Sequence, residues 1–161
     1  MKKINIYSKN KKKFLKLVGF ANEVIDILKK LKINPIARGS LAVFIYTKNE
    51  QMKVNDIDFL VSEDEFEKVI KELIRKRIRY NYSRKWHVLQ IFKPGVKVEL
   101  DAIHFWQKKL SNNFKYYKFG KSNIKVIGLK DLISTYRKAS KTAIRNRAGK
   151  LEKYLMLKKL K

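Results

Sequence analysis

Two aspartates separated by one apolar residue, Asp56-Ile57-Asp58, stand inside the run VNDIDFLV at residues 54–61. Side chains on a strand alternate faces, so a strand here turns both carboxylates one way and sends Ile57 and Phe59 the other. Two like charges side by side repel, and they persist in open solvent or where a divalent cation neutralises them. A strand with so apolar an opposite face is central, which favours the cation. Magnesium takes oxygen ligands, often one or two carboxylates together with substrate phosphates. The run VKVELDAI repeats the device, with Glu99 and Asp101 on one face and Val98 and Leu100 on the other. If the two strands are neighbours, three or four carboxylates converge. Upstream, Arg38-Gly39-Ser40 offers a turn at which the backbone can approach a phosphate closely, with the Ser40 hydroxyl and amide to bond its oxygens. Metal-assisted phosphoryl chemistry needs this combination.

These residues need elements to hold them. Residues 12–31 place Phe14, Leu15, Val18, Val24, Ile25, Ile27 and Leu28 at helical spacing. A short strand over 34–38 ends at the Gly-Ser turn. The following LAVFIYT suits either a strand, by its β-branched and aromatic content, or a buried helix, by its position. Glu63 to Lys76 reads as an amphipathic helix with Phe66, Val69, Ile70 and Leu73 on one face. Strands are expected at 78–82, 86–92, 96–103 and 122–127, with a Pro94-Gly95 turn between the second and third. From Leu129 the pattern is helical, as two helices that break near Ala148-Gly149. The layout is α+β: a short mixed sheet carrying the acids, flanking helices, and a helical segment that closes the cleft. We divide it into a core over 1–128 and a basic C-terminal segment over 129–161.

Composition bounds the chemistry further. Among 161 residues there is no cysteine, which removes thiolate zinc sites and cysteine nucleophiles and fits a reducing, cytoplasmic setting. No apolar run reaches the roughly 18 residues that a membrane span needs. Forty Lys and Arg stand against fourteen Asp and Glu, a formal net charge of +26. Heat adaptation usually raises Glu together with Lys, and here the acids do not follow. A field this positive attracts polyanions, RNA and nucleoside triphosphates among them. Yet ten of the fourteen acids fall between Glu50 and Asp101. An acidic centre between basic ends looks like a metal site framed by phosphate-binding surface.

The stretch RGSLAVFIYTKNEQMKVNDIDFLV resembles the signature of the polymerase-β-like nucleotidyltransferases: Gly-Ser, a spacer, Asp-hydrophobic-Asp, and a third acid on a later strand. Within that superfamily it looks most like the small antibiotic adenylyltransferases and the nucleotidyltransferase toxins of abortive-infection systems. Fifteen residues separate Ser40 from Asp56, a long spacer for the family. The resemblance implies a triphosphate, with ATP the first candidate, gripped at Arg38, Gly39 and Ser40, and two magnesium ions held by Asp56 and Asp58. Asp101, or else Glu99, would be the third carboxylate, serving as metal ligand and as base for the acceptor hydroxyl. Basic residues of the helix after Leu129, such as Arg137, Lys138 and Lys141, would reach the phosphates.

The expected activity is transfer of a nucleoside monophosphate to a hydroxyl with release of pyrophosphate. The charge favours RNA, including tRNA, as acceptor over a cationic drug. Two rivals remain: a nucleic-acid-binding protein that keeps the fold without catalysis, and a toxin–antitoxin-type enzyme that nucleotidylates a protein. His87, His104, Trp106, Tyr116 and Tyr117 are further candidates for substrate contact, whereas Trp86 is assigned to the core. The N-terminal Lys2, Lys3, Lys9 and Lys11–Lys13 are expected to serve the acceptor.

Overall fold

The computed structural model describes residues 2–3, 11–49 and 51–161. Its elements run β1 (Lys2–Lys3), α1 (Lys11–Lys30), β2 (Ile36–Arg38), α2 (Gly39–Thr47), β3 (Ile57–Val61), α3 (Phe66–Arg75), β4 (Arg79–Ser83) and β5 (Val88–Lys93). There follow β6 (Val96–Ala102), α4 (Ile103–Trp106), β7 (Lys115–Phe119), β8 (Ser122–Val126), α5 (Leu129–Thr142) and α6 (Arg147–Lys158). A single 3-10 turn, Glu63–Glu65, leads into α3. The side chains of Lys2 and Lys3, and the whole of Lys9, lie outside the described residues.

The fold is α+β. One mixed sheet orders its strands β1-β7-β8-β2-β3-β6-β5-β4. The two acid-bearing strands, β3 and β6, are parallel neighbours near its centre, and Asp58 lies directly opposite Glu99. Their apolar faces fill the core: Ile57, Phe59, Val98 and Leu100 are fully buried, together with Leu17, Val24 and Leu28 of α1. Burying one such side chain is worth about 1.5–3 kcal/mol, so this arrangement fixes which face carries the acids. Slipping the register by one residue would bury them instead.

Several expectations need adjusting. Leu15 faces solvent, because α1 buries the stripe that includes Phe14, Leu17, Val18 and Ala21. LAVFIYT is helical: Gly39 adopts a left-handed φ of 65°, which turns the chain out of β2, and five consecutive residues from Leu41 to Ile45 are buried. Burial on every side overrides the local strand preference. The last two helices separate at Ala143–Asn146 rather than near Ala148-Gly149. The Asn146 side chain accepts the Gly149 amide hydrogen at 3.2 Å, capping α6 and absorbing the glycine into its first turn. Trp86 is not a core residue; it lies on the exposed turn between β4 and β5. Both β7 and the short α4 are additional to the elements read from sequence.

Among the described residues no helix is long and apolar enough to cross a membrane.

Candidate active site

A polar row crosses the sheet on the face opposite the core. Register aligns Arg38 on β2 with Asp58 on β3, Glu99 on β6, Gln90 on β5 and Asn81 on β4. Asn81 donates to Gln90 Oε1 at 3.3 Å, and Gln90 Nε2 donates to Glu99 Oε1 at 2.8 Å. Asp56 sits in the bend just before β3 rather than within it. Oxygens of Asp56, Asp58 and Glu99 nevertheless gather within 4.8 Å of one another, a set that could hold a metal ion.

Asp101 is placed differently. It lies two residues along β6, opposite Leu60, and its carboxylate meets the Arg38 guanidinium at 3.4 Å. Only 6% of the residue is exposed. Of the two candidates on β6, Glu99 therefore joins the aspartate pair, while Asp101 forms a buried ion pair behind it.

Electrostatics follow from this crowding. Burial, then the Asp101, Asp56 and Glu99 carboxylates, push the Asp58 carboxyl well above the usual carboxylate range. Burial also lifts Asp101, to about 6, and the nearby acids add to it although Arg38 opposes them. Burial acts on Glu99 in the same sense, but hydrogen bonds from Lys97 and Gln90 outweigh it and hold its carboxyl below the ordinary value. Lys97 is the counter-ion already present, with Nζ 2.6 Å from Glu99 and 3.2 Å from Asp56. The set is short of positive charge, and a divalent cation is what would allow all three acids to ionise together.

Gly39 is the hinge of the site. A Cβ built there would lie 2.2 Å from Asp58 Oδ2, so the carboxylate packs directly on the glycine backbone. Gly39 and Ser40 begin α2, whose N-terminus has no side-chain cap and so could meet an anion. The Arg38 Nη1 atom is buried and makes no hydrogen bond, its ionic neighbour being the Asp101 carboxylate at 3.4 Å.

The basic residue that reaches this turn comes from α6. Lys153 Nζ donates to Ser40 Oγ at 2.9 Å, and it lies 5.8 Å from the centre of the Tyr136 ring. Burial, reinforced by the neighbouring Lys150, lowers its pKa, so an arriving anion would be welcome. Lys138 lies on the exposed side of α5, as does Arg137. Lys153 was not singled out from the sequence because nothing local distinguishes it from the other lysines of α6; only the docking of α6 against α2 does so.

His87 and His104 meet across Glu63, beyond the C-terminal ends of β3 and β6. Trp106 lies against Arg38, 5.8 Å from ring centre to guanidinium, and donates through Nε1 to the Trp86 carbonyl at 2.8 Å. Tyr116 is exposed on β7, and Tyr117 is half-buried.

No family model matches this chain. No curated protein matches its sequence. Solved structures do resemble it. The lincosamide antibiotic adenylyltransferase LnuA, solved with lincomycin bound, superposes with a TM-score of 0.60 at 12% identity, over 98% of this chain and all (100%) of LnuA. The antibiotic-resistance factor ANT(2'')-Ia gives 0.65 at 10% identity, over 87% of this chain and 81% of its own. The Megavirus polyadenylate synthase gives 0.57 at 12% identity, over 88% of this chain and 32% of the synthase. The chain therefore shares the fold of these nucleotidyltransferases.

Proposed function

We propose that this chain is a magnesium-dependent nucleotidyltransferase that moves a nucleoside monophosphate from a triphosphate, ATP in the first instance, to a hydroxyl of RNA such as tRNA. The observation that carries the reading is the gathering of Asp56, Asp58 and Glu99 within 4.8 Å, on a sheet face beside the Gly39-Ser40 turn. Asp56 and Asp58, with Glu99, would hold two magnesium ions; the donor set is all carboxylate oxygen, which suits that metal. When bound, magnesium neutralises the charge on the phosphates and on the attacking and leaving oxygens.

The chain's own groups do the rest. The Ser40 hydroxyl, the first α2 amides, Arg38 and Lys153 grip the phosphate oxygens and fix the α-phosphorus for in-line attack. The acceptor oxygen bonds to that phosphorus, the bond to pyrophosphate breaks, and the hydroxyl proton passes to a carboxylate. Asp101, two residues from Glu99 on the same strand, takes that proton in this reading. Asp101→Asn is then expected to lower kcat/KM by about 10²–10⁴-fold and to remove the acidic limb of the pH–rate profile. If Glu99→Gln abolishes that limb instead, the proton goes to Glu99.

Lys153 holds phosphate and takes no part in proton transfer. Lys153→Gln should weaken triphosphate binding by about 10–100-fold, as expected from losing a charge-assisted hydrogen bond of about 1.5–3 kcal/mol, while kcat changes less. Equilibrium nucleotide binding by the variant checks this, and unchanged affinity would remove Lys153 from the site.

RNA is favoured by the net charge of +26 and by the polyadenylate synthase among the similar structures. A cytoplasmic location is part of the same reading. The deciding experiment incubates the protein with each labelled triphosphate, total RNA and a cell extract. Label in RNA, from ATP, is the expected result. Label on protein would move the reading to a nucleotidylating toxin, and no label anywhere to a nucleic-acid-binding scaffold.

A further inference from the structure

A second constellation of ligating atoms lies at the opposite end of β3 and β6 from the aspartate pair. Glu63, on the turn after β3, receives three groups. Tyr82 donates to its Oε1 at 2.5 Å, while His87 Nδ1 and His104 Nε2 approach its Oε2 at 2.7 and 3.2 Å. The two imidazole rings stand edge to face with their centres 5.4 Å apart. We propose that Glu63, His87 and His104 form a binding site for a transition-metal ion, zinc by its chemistry, with a fourth position left open to solvent.

Donor chemistry and geometry both support it. Two imidazole nitrogens and one carboxylate oxygen suit zinc and neighbouring transition metals, whereas magnesium prefers all-oxygen sets. One ligand atom from each residue lies within 4.8 Å of the others. Tetrahedral zinc with bonds of about 2.0–2.1 Å needs its ligand atoms about 3.3 Å apart. The measured 2.7 and 3.2 Å require only small side-chain rotations to reach that spacing. Tyr82, bonded to the other carboxylate oxygen, orients the ligand as second partners do in zinc sites. The side chain of His104 is 61% exposed, which gives an ion an open approach.

The backbone supplies an independent sign. His87 holds a φ of 52°, a left-handed conformation that costs a non-glycine residue about 1–2 kcal/mol. The conformation is held by the Ala102 amide donating to the His87 carbonyl at 3.0 Å and by Phe105 packing on the ring at 4.5 Å. Strained conformations cluster at functional sites, and here one coincides with convergent ligating atoms. The ion would fix the β4–β5 turn to α4, and with them Trp106, which rests on Arg38 beside the catalytic cleft.

The test uses the full chain, free of affinity tag and stripped of metal, titrated with Zn²⁺ and separately with Co²⁺ in excess Mg²⁺. Binding of one zinc equivalent, tetrahedral-type visible bands from cobalt, and a change in Trp fluorescence are expected. His104→Ala, a substitution at an exposed position, and Glu63→Gln should each lose more than the roughly 10–100-fold that follows removal of a supporting residue. Tyr82→Phe should fall within that roughly 10–100-fold range. The double variant Asp56→Asn/Asp58→Asn should bind zinc as wild type does. The proposal is overturned if wild type takes up no zinc in excess Mg²⁺, if His104→Ala binds as tightly, or if the aspartate variant loses the ion.

Discussion

Replacing Asp56 and Asp58 together by Asn is expected to abolish nucleotidyl transfer while leaving the metal-free protein at least as stable as wild type. Metal stabilisation of the transferring phosphate is worth several kcal/mol, and each 1.36 kcal/mol is tenfold, so the loss should be at least about 10³-fold. The stability side follows from proton linkage. Asp58 and Asp101 both hold their protons above the ordinary carboxylate range, Asp101 to about 6. Between about pH 4 and 6 the folded state then binds more protons than the unfolded one, so these groups contribute stability at low pH that is lost as pH rises. Thermal unfolding of metal-free wild type should show that decline, and magnesium should reverse it at pH 7 but have little effect near pH 4. In the double variant both the decline and the magnesium response should shrink. A double variant that retains wild-type transfer would sink the central reading.

Gly39→Ala is expected to be nearly as damaging, for a reason confined to one methyl group. The position has a φ of 65°, where alanine costs about 1–2 kcal/mol, and the new Cβ would stand 2.2 Å from Asp58 Oδ2. No real structure tolerates that separation, so Asp58 must move. A displacement of about 1 Å at a reacting centre can cost about 10²-fold. The melting temperature should fall by about 2–4 °C for each kcal/mol lost. Turnover and melting measured on the same preparation separate the two effects. Full activity in the alanine variant would show that Asp58 does not need the place it occupies.

The acids were readable from sequence because strand alternation is a strict period of two. Glu99 and Asp101 could be placed on one face of their strand from their spacing and the apolar residue between them, and Asp58 on one face of its own. Asp56, which the same alternation puts into that strand, lies in the bend before it. The choice between Glu99 and Asp101 needed the register of β3 against β6, which pairs residues 41 positions apart, such as Asp58 with Glu99. The helix α2 was ambiguous because Val43, Phe44, Ile45 and Tyr46 favour strands, and only the turn at Gly39 and burial on all sides decide the matter. The run KYYKF of β7, with lysines at both ends of a tyrosine pair, looks like a solvated loop until β8 pairs with it. Lys138 sits in α5, which buries Leu132, Ile133 and Tyr136 and leaves Lys138 exposed. The cluster of Glu63, His87 and His104 joins three separate segments and has no local spacing to betray it.

The contact between Ser40 and Lys153 joins residues 113 positions apart. It bears on the order in which the molecule assembles. Pairings of long sequence separation incur their loop-closure entropy before they return any contact energy, so they form late. The sheet can therefore be complete, with its carboxylates in register, while the contact between Lys153 and Ser40 is still unmade. Partial opening that releases α5 and α6, which pack chiefly on each other, would return the molecule to that state without unfolding the sheet. Such a species would still collect metal but hold triphosphate poorly. If the proposed function holds, such a partly opened species would be inactive, and amide exchange in α6 should slow when a triphosphate analogue is bound, while exchange in β3 and β6 should change far less.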